Sequence, residues 1–101
     1  MNAIIDFSVF TDISSLGNIH GRFNIDKTPQ AGEYLELNLS DDQSKKFLIE
    51  NVSEESYEDQ KYVLIMLEDL IVEKENDFQN IGKYLEKEHG LYIDDFTSND
   101  S

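Results

Sequence analysis

The chain has 101 residues, which is enough for one domain with a core and too few for two. Its 22 acidic residues outnumber 8 basic ones, and the formal net charge of −14 excludes nucleic acid and anionic membrane surfaces as partners, because both require clustered lysine and arginine. The chain has no cysteine, which excludes disulfides and thiolate chemistry and favours a cytoplasmic location.

Four segments in the first half of the chain alternate apolar and polar residues, which is the pattern of half-buried strands. They cover residues 3–11, 19–25, 33–39 and 45–52. The turn-rich stretch between the first two segments predicts a hairpin. In the fourth segment the apolar phase slips by one residue between Ile49 and Val52, which predicts a β-bulge near Glu50 and Asn51.

A fifth strand is predicted over residues 61–72, because residues 62–67 are apolar without interruption. A strand that is apolar on both faces needs cover on both. We therefore expect the interior of the sheet or barrel on one side and a helix on the other. A helix over residues 62–74 is the alternative, since short apolar runs suit both structures.

One helix is predicted after the fifth strand, with Asn76 or Asp77 as its N-cap. Apolar residues recur at three- and four-residue spacing from Phe78 to Leu85, which places them on one face. Gly90 is suited to the C-cap, because glycine adopts the left-handed conformation without strain. The sequence therefore predicts a helix that ends close to Gly90.

Together these elements predict an α+β fold. About five antiparallel strands form a strongly bent sheet or a small partly open barrel, and one C-terminal helix packs on it. A flat sheet with the helix across one face is the alternative. Residues 1–93 are expected to form the single globular domain, with a short last strand at 91–93, and residues 94–101 a flexible acidic tail.

Motifs for catalysis, metals and cofactors are missing from the sequence. It has no zinc, calcium or phosphate-binding pattern, and neither of its two histidines has an obvious set of catalytic partners. We therefore predict a protein that is not an enzyme and that uses no cofactor. His20, Arg22 and Asn24 share the outer face of the second strand, so a small enzyme built on this cluster is the weaker alternative.

The acidic residues are concentrated in the second half of the chain. Residues 1–49 hold 7 acids and 4 bases, net −3, whereas residues 50–101 hold 15 acids and 4 bases, net −11. Such acidity suits either solubility as a monomer or recognition of a cationic protein. For recognition, we expect three acidic clusters to converge on one negative ridge with aromatic anchors. The predicted partner-binding residues are Glu54, Glu55, Tyr57, Glu58, Asp59, Glu68, Asp69, Glu73, Glu75, Asp77, Tyr92, Asp94, Asp95 and Phe96.

In size, acidity, absence of cysteine, strand-rich body and single helix, the whole chain resembles a known group of proteins. These are the small acidic immunity proteins of bacterial toxin–immunity systems, including contact-dependent growth inhibition. The resemblance implies an inhibitor that occludes the cationic cleft of a basic, nuclease-type toxin, and it assigns no site residues. Residues 29–35 are also similar to the loop-into-strand of many small β-barrels, which bears on the fold alone.

Two other kinds of acidic binding protein fit the composition. A phage-encoded inhibitor that mimics nucleic acid, of the anti-restriction or anti-CRISPR type, would carry carboxylates spaced like phosphates along one face. A secretion chaperone would also be small, acidic and α+β. Such chaperones usually dimerise and begin with a helix, whereas residues 4–11 have a strand pattern.

Overall fold

The computed structural model describes residues 2–96 and contains seven strands and one helix within that range. The elements are β1 (Asn2–Phe10), β2 (Ser15–Asn24), β3 (Tyr34–Ser40), β4 (Gln43–Tyr57), β5 (Gln60–Leu67), β6 (Leu70–Ile71), α1 (Glu75–His89) and β7 (Tyr92–Asp95). Of the predicted tail 94–101, residues 97–101 lie outside the described range. Asp94 and Asp95 belong to β7, so the tail prediction is wrong for these two residues.

The strands form one sheet in the order β3-β4-β5-β1-β2-β7, and β6 pairs with β1 beyond the end of β5. Neighbouring strands are antiparallel except at two places, because β5 and β6 both run parallel to β1. The expectation of antiparallel pairing throughout is wrong at these places. A parallel pair needs a long crossover, and here β2, β3 and β4 together provide it between β1 and β5.

The sheet bends around the helix without closing into a barrel. The helix α1 contacts β3 at one end of the strand order and β2 and β7 at the other. A single helix reaches both ends only if the sheet curves strongly around it. The predicted α+β class, the bent sheet and the C-terminal helix packed on it are confirmed.

The core lies between the helix and the sheet face turned towards it, which we call the inner face. Alternate residues of the central strands point there, as the period of two predicts. Ile5 and Phe7 of β1, Ile65 of β5, and Phe78 and Leu85 of α1 are at most 2% exposed. Burial of each such side chain stabilises the fold by about 1.5–3 kcal/mol.

A small residue is needed where the helix meets the edge of the sheet. A Cβ atom on Gly17 of β2 would lie 2.6 Å from the ring of Phe78 and would also collide with the carbonyl oxygen of Asp94. On the helix side, a Cβ atom on Gly82 would lie 3.3 Å from Ile93. Glycine at position 17 therefore allows α1, β2 and β7 to approach closely.

Two predicted local features are confirmed and one is wrong. The pairing of β4 with β5 shifts between Ile49 and Asn51, which is the predicted bulge. Gly90 is the C-cap with φ of 68°, and its N–H donates to the carbonyl of Glu86. The N-cap is Lys74 rather than Asn76 or Asp77, because the Asp77 carboxylate reaches back and accepts from the Lys74 N–H at 3.1 Å.

No helix among residues 2–96 combines the length and apolar character required to cross a membrane. The alternative helix over 62–74 is excluded, since β5 and β6 cover most of that range.

Candidate protein-binding surface

The far end of the β4–β5 hairpin, residues 54–61, stands out from the body of the protein. Every residue of this segment, which we call the hairpin tip, is exposed. It holds four acids and one base, net −3. Tyr57 is 68% exposed in the middle of this charge. The structure therefore brings together five of the predicted partner-binding residues: Glu54, Glu55, Tyr57, Glu58 and Asp59.

The turn of the hairpin places two acidic residues in an unfavourable backbone conformation. Tyr57 pairs with Gln60, so Glu58 and Asp59 form a two-residue loop. Their φ angles are 50° and 65°. Such turns favour Asn-Gly, because a side chain in the left-handed region costs of order 1 kcal/mol. The chain therefore carries two carboxylates at the tip at the expense of stability.

A second acidic group lies at the opposite end of β5. Glu68 and Asp69 follow the strand, whereas the tip precedes it, and an eight-residue strand separates its ends by about 23 Å. Glu73 lies between β6 and α1, and Glu75 and Asp77 lie in the first turn of α1. The expected single ridge is therefore not formed, because β5 holds the tip and this group apart.

Two acids of the second group stabilise the fold directly. The N–H of Leu48 donates to Glu68 Oε2 at 2.7 Å, and the ammonium of Lys45 lies 3.8 Å from the same oxygen. Asp77 caps the helix. These contacts make the second group less suited than the tip to a binding site.

The third predicted group lies on the edge strand β7. Tyr92 and Phe96 are 67% and 55% exposed, and Asp94 and Asp95 lie between them. The ring of Tyr92 stacks on His20 of β2 with 5.8 Å between the centroids, and Asp94 Oδ2 lies 3.7 Å from His20 Nδ1. This group is separated from the tip by the width of β5, β1 and β2.

His20 and Arg22 share the sheet face that points away from the helix, which we call the outer face, but they engage different partners. Nδ1 of His20 lies 2.9 Å from Asn18 Oδ1, and the amide of Asn18 donates to Asp6 Oδ1 at 2.8 Å. Arg22 instead donates from Nη2 to the Tyr62 hydroxyl at 3.3 Å. The geometry therefore does not join the imidazole and the guanidinium into one catalytic pair.

A shallow depression of about 400 Å³ lies on the outer face at the base of the hairpin tip. It is lined by Ile4, Arg22, Glu55, Tyr57, Tyr62 and Leu64. Ile4 of β1 pairs with both Leu64 of β5 and Arg22 of β2, so these three lie in one row across the sheet. The depression was not predicted, because its residues come from four strands that are distant in the sequence.

The depression contradicts the expectation that both faces of β5 are covered. On the inner face, Ile65 and Leu67 are buried. On the outer face, Leu64 and Met66 are only half-buried, and no element within residues 2–96 packs over them as α1 packs on the inner face. An uninterrupted apolar run therefore does not require a covering element of the same chain on both faces of the strand.

Within the part of the chain that the structure describes, no group of three histidine, aspartate or glutamate side chains is placed to hold a metal ion. No protein-family model, curated protein sequence or solved structure matches the chain significantly.

Proposed function

We propose that the protein is a non-enzymatic inhibitor that binds a basic protein, of the immunity type that blocks the cationic cleft of a nuclease-type toxin. The observation that carries the proposal is the hairpin tip, which presents four carboxylates and an exposed tyrosine on a two-stranded projection. Nuclease clefts are lined with cations that hold phosphates, and carboxylates on a narrow projection offer such cations an alternative partner.

The charge of the tip acts mainly on the rate of association. Exposed ion pairs contribute only about 0.2–1 kcal/mol each, so four carboxylates do not account for tight binding. Opposed electrostatic fields, by contrast, raise association rates to about 10⁸–10⁹ M⁻¹s⁻¹ at low salt. The net charge of −14 extends this attraction over the whole molecule, and the tip directs it to one place.

The shape of the molecule supports insertion rather than flat docking. The sheet curves around α1, so the outer face is convex, and the tip continues one end of it. A convex surface with a projecting hairpin complements a concave site. An interface of the usual size, about 800 Å² per partner, is a small part of the 6846 Å² of accessible surface.

The test takes as partner a basic protein encoded next to the gene for this chain, with binding kinetics and residual nuclease activity as readouts; if no neighbouring product binds the chain, the proposal fails at this step. In the variant E54K/E55K/D59K we expect the association rate to fall about tenfold or more at low salt. The matched control D69K/E73K/E75K changes the net charge by the same amount at the opposite end of β5, and we expect a fall of less than about threefold.

Equal losses in the two variants would show that only the overall charge matters and that the tip is not the contact site. Unchanged kinetics in both, or full nuclease activity in the presence of excess inhibitor, would contradict the proposed function.

A further inference from the structure

We propose that the depression at the base of the hairpin tip receives one aromatic side chain of the basic partner, and that this anchor determines the lifetime of the complex. The inference rests on the proposed function and adds the chemistry of the contact. The partner segment it requires is an aromatic residue flanked by lysine or arginine. The electrostatic contacts at the tip then control association, and the depression controls dissociation.

The apolar part of the depression consists of side chains that the fold leaves without cover. Ile4 and Leu64 pair across β1 and β5 and are only half-buried, and Tyr57 is 68% exposed beside them. Residues that bind tightly in interfaces lie in apolar pockets surrounded by polar groups that exclude water. The depression has this arrangement, with the tip carboxylates on one side.

The charged groups favour an aromatic occupant over a cationic one. Arg22 lines the depression, and its guanidinium carbon lies 5.6 Å from the centroid of the Tyr62 ring. Its positive charge disfavours an ammonium or guanidinium group in the same space. An aromatic ring, by contrast, stacks well on guanidinium and phenol planes.

The depression is large enough to hold one aromatic side chain. A volume of about 400 Å³ lies at the lower end of the range for small-ligand sites, roughly 300–1,000 Å³. Glu55 lies at its rim, and Glu58 and Asp59 follow in the turn of the tip, so basic residues on either side of the aromatic residue would find Glu55 and the turn carboxylates nearby. Charge complementarity therefore identifies the flanking residues, and the apolar lining identifies the central one.

The first experiment uses the full chain and two defined probes, the peptides Lys-Lys-Trp-Lys-Lys and Lys-Lys-Ala-Lys-Lys. In an amide chemical-shift titration, we expect the tryptophan peptide to perturb Tyr57 and Leu64 and to bind about tenfold more tightly than the alanine peptide. Equal affinity of the two peptides, or shifts confined to the acidic residues, would overturn the inference.

Substitutions on one strand locate the contact. Leu64→Asn should remove most of the preference for the tryptophan peptide. Met66→Asn is the matched control, because Met66 lies on the same strand and the same face but outside the depression. If Leu64→Asn does not fold, as judged by circular dichroism, Tyr57→Ala at an exposed position provides the same test. Retention of the preference in the folded variant would contradict the inference.

Kinetics with the cognate partner separate this inference from the proposed function. Leu64→Asn should raise the dissociation rate about tenfold and leave the association rate within about twofold. If E54K/E55K/D59K slows association while Leu64→Asn leaves the dissociation rate unchanged, the depression does not hold an anchor, and the proposed function is not contradicted. If the peptide preference holds while charge reversal has no effect, the depression binds aromatic residues and the proposed function is wrong.

Discussion

The inner and outer faces of the central strands β1 and β5 carry similar apolar residues, but the helix α1 covers only the inner face. Ile5 and Ile65 are paired neighbours on the inner face, and both are fully buried. Ile4 and Leu64 are the neighbouring pair on the outer face, and both are half-buried with no helix over them. The inner pair therefore belongs to the folding core, whereas the outer pair stabilises the fold less and remains accessible to a partner.

Under the proposed function, this difference lets one strand pair contribute both to the core and to a binding surface. Alternation separates the two faces completely, so substitutions on one face leave the other in place. Only 39% of the residues are apolar, so the domain has few apolar side chains beyond those that form its core. Under the proposed function, the apolar residues left uncovered on the outer face contribute to binding rather than to the folding core.

The largest expected effect is the contrast between Ile65→Ala and Leu64→Ala. Ile65→Ala removes a fully buried side chain, and we expect a loss of about 2–5 kcal/mol in the free energy of unfolding. Leu64→Ala should cost less than about 1 kcal/mol, because its side chain already contacts solvent. Urea unfolding of the two variants measures both values. Similar losses would show that the outer face belongs to the core.

The next effect tests the close contact of helix and sheet on the inner side. Gly17→Ala should lower the free energy of unfolding by about 1–3 kcal/mol, because the added Cβ would lie 2.6 Å from the buried ring of Phe78. The matched change Gly82→Ala should be close to neutral. Its 3.3 Å contact with Ile93 is milder, and alanine favours the helix by about 1 kcal/mol. A neutral Gly17→Ala would mean that helix and sheet are packed loosely at this edge.

The strands and the tip follow from local sequence, whereas the sheet order and the depression do not. Side-chain alternation and the slipped phase at Ile49 are properties of neighbouring residues, so the centres of β1 to β4 and the bulge were predictable. The strand ends were predicted less well, because β2 begins four residues before the predicted start and β4 ends five residues after the predicted end. Acidic residues that are adjacent in the sequence lie together at the tip, but Glu68 lies far from the tip because the whole of β5 separates them. Which strand pairs with which is decided by tertiary packing. For this reason the parallel pair of β1 and β5, and the depression built across it, could not be read from any segment alone.

Substitution at the turn of the hairpin tip should raise the free energy of unfolding, whereas the substitutions on the inner face lower it. The double change E58N/D59G places at the turn the residues that favour φ above 0°, and we expect the free energy of unfolding to rise by about 1 kcal/mol. The same variant loses two carboxylates, so its association with the basic partner should slow. Stability from urea unfolding and the association rate measured on one sample test this trade-off. A variant that is both more stable and equally fast in binding would show that the acidic turn has no part in recognition.

The smallest effect concerns Tyr84, at the border between the inner core and solvent. Its side chain packs partly against the core, and burial together with the carboxylates of Glu88 and Asp41 raises the pKa of the phenol above 10.0. Because the unfolded chain then releases this proton at a lower pH than the folded chain, the contribution of Tyr84 to stability is intact below about pH 10 and declines as the pH rises further. Unfolding free energies of the wild type and of Tyr84→Phe should therefore differ by a constant amount at neutral pH, and the wild type should lose stability relative to the variant above pH 10. Tyr34→Phe, at a position 64% exposed, controls for the loss of a tyrosine hydroxyl as such. A pH-independent difference between wild type and Tyr84→Phe would place the hydroxyl in solvent, away from both carboxylates.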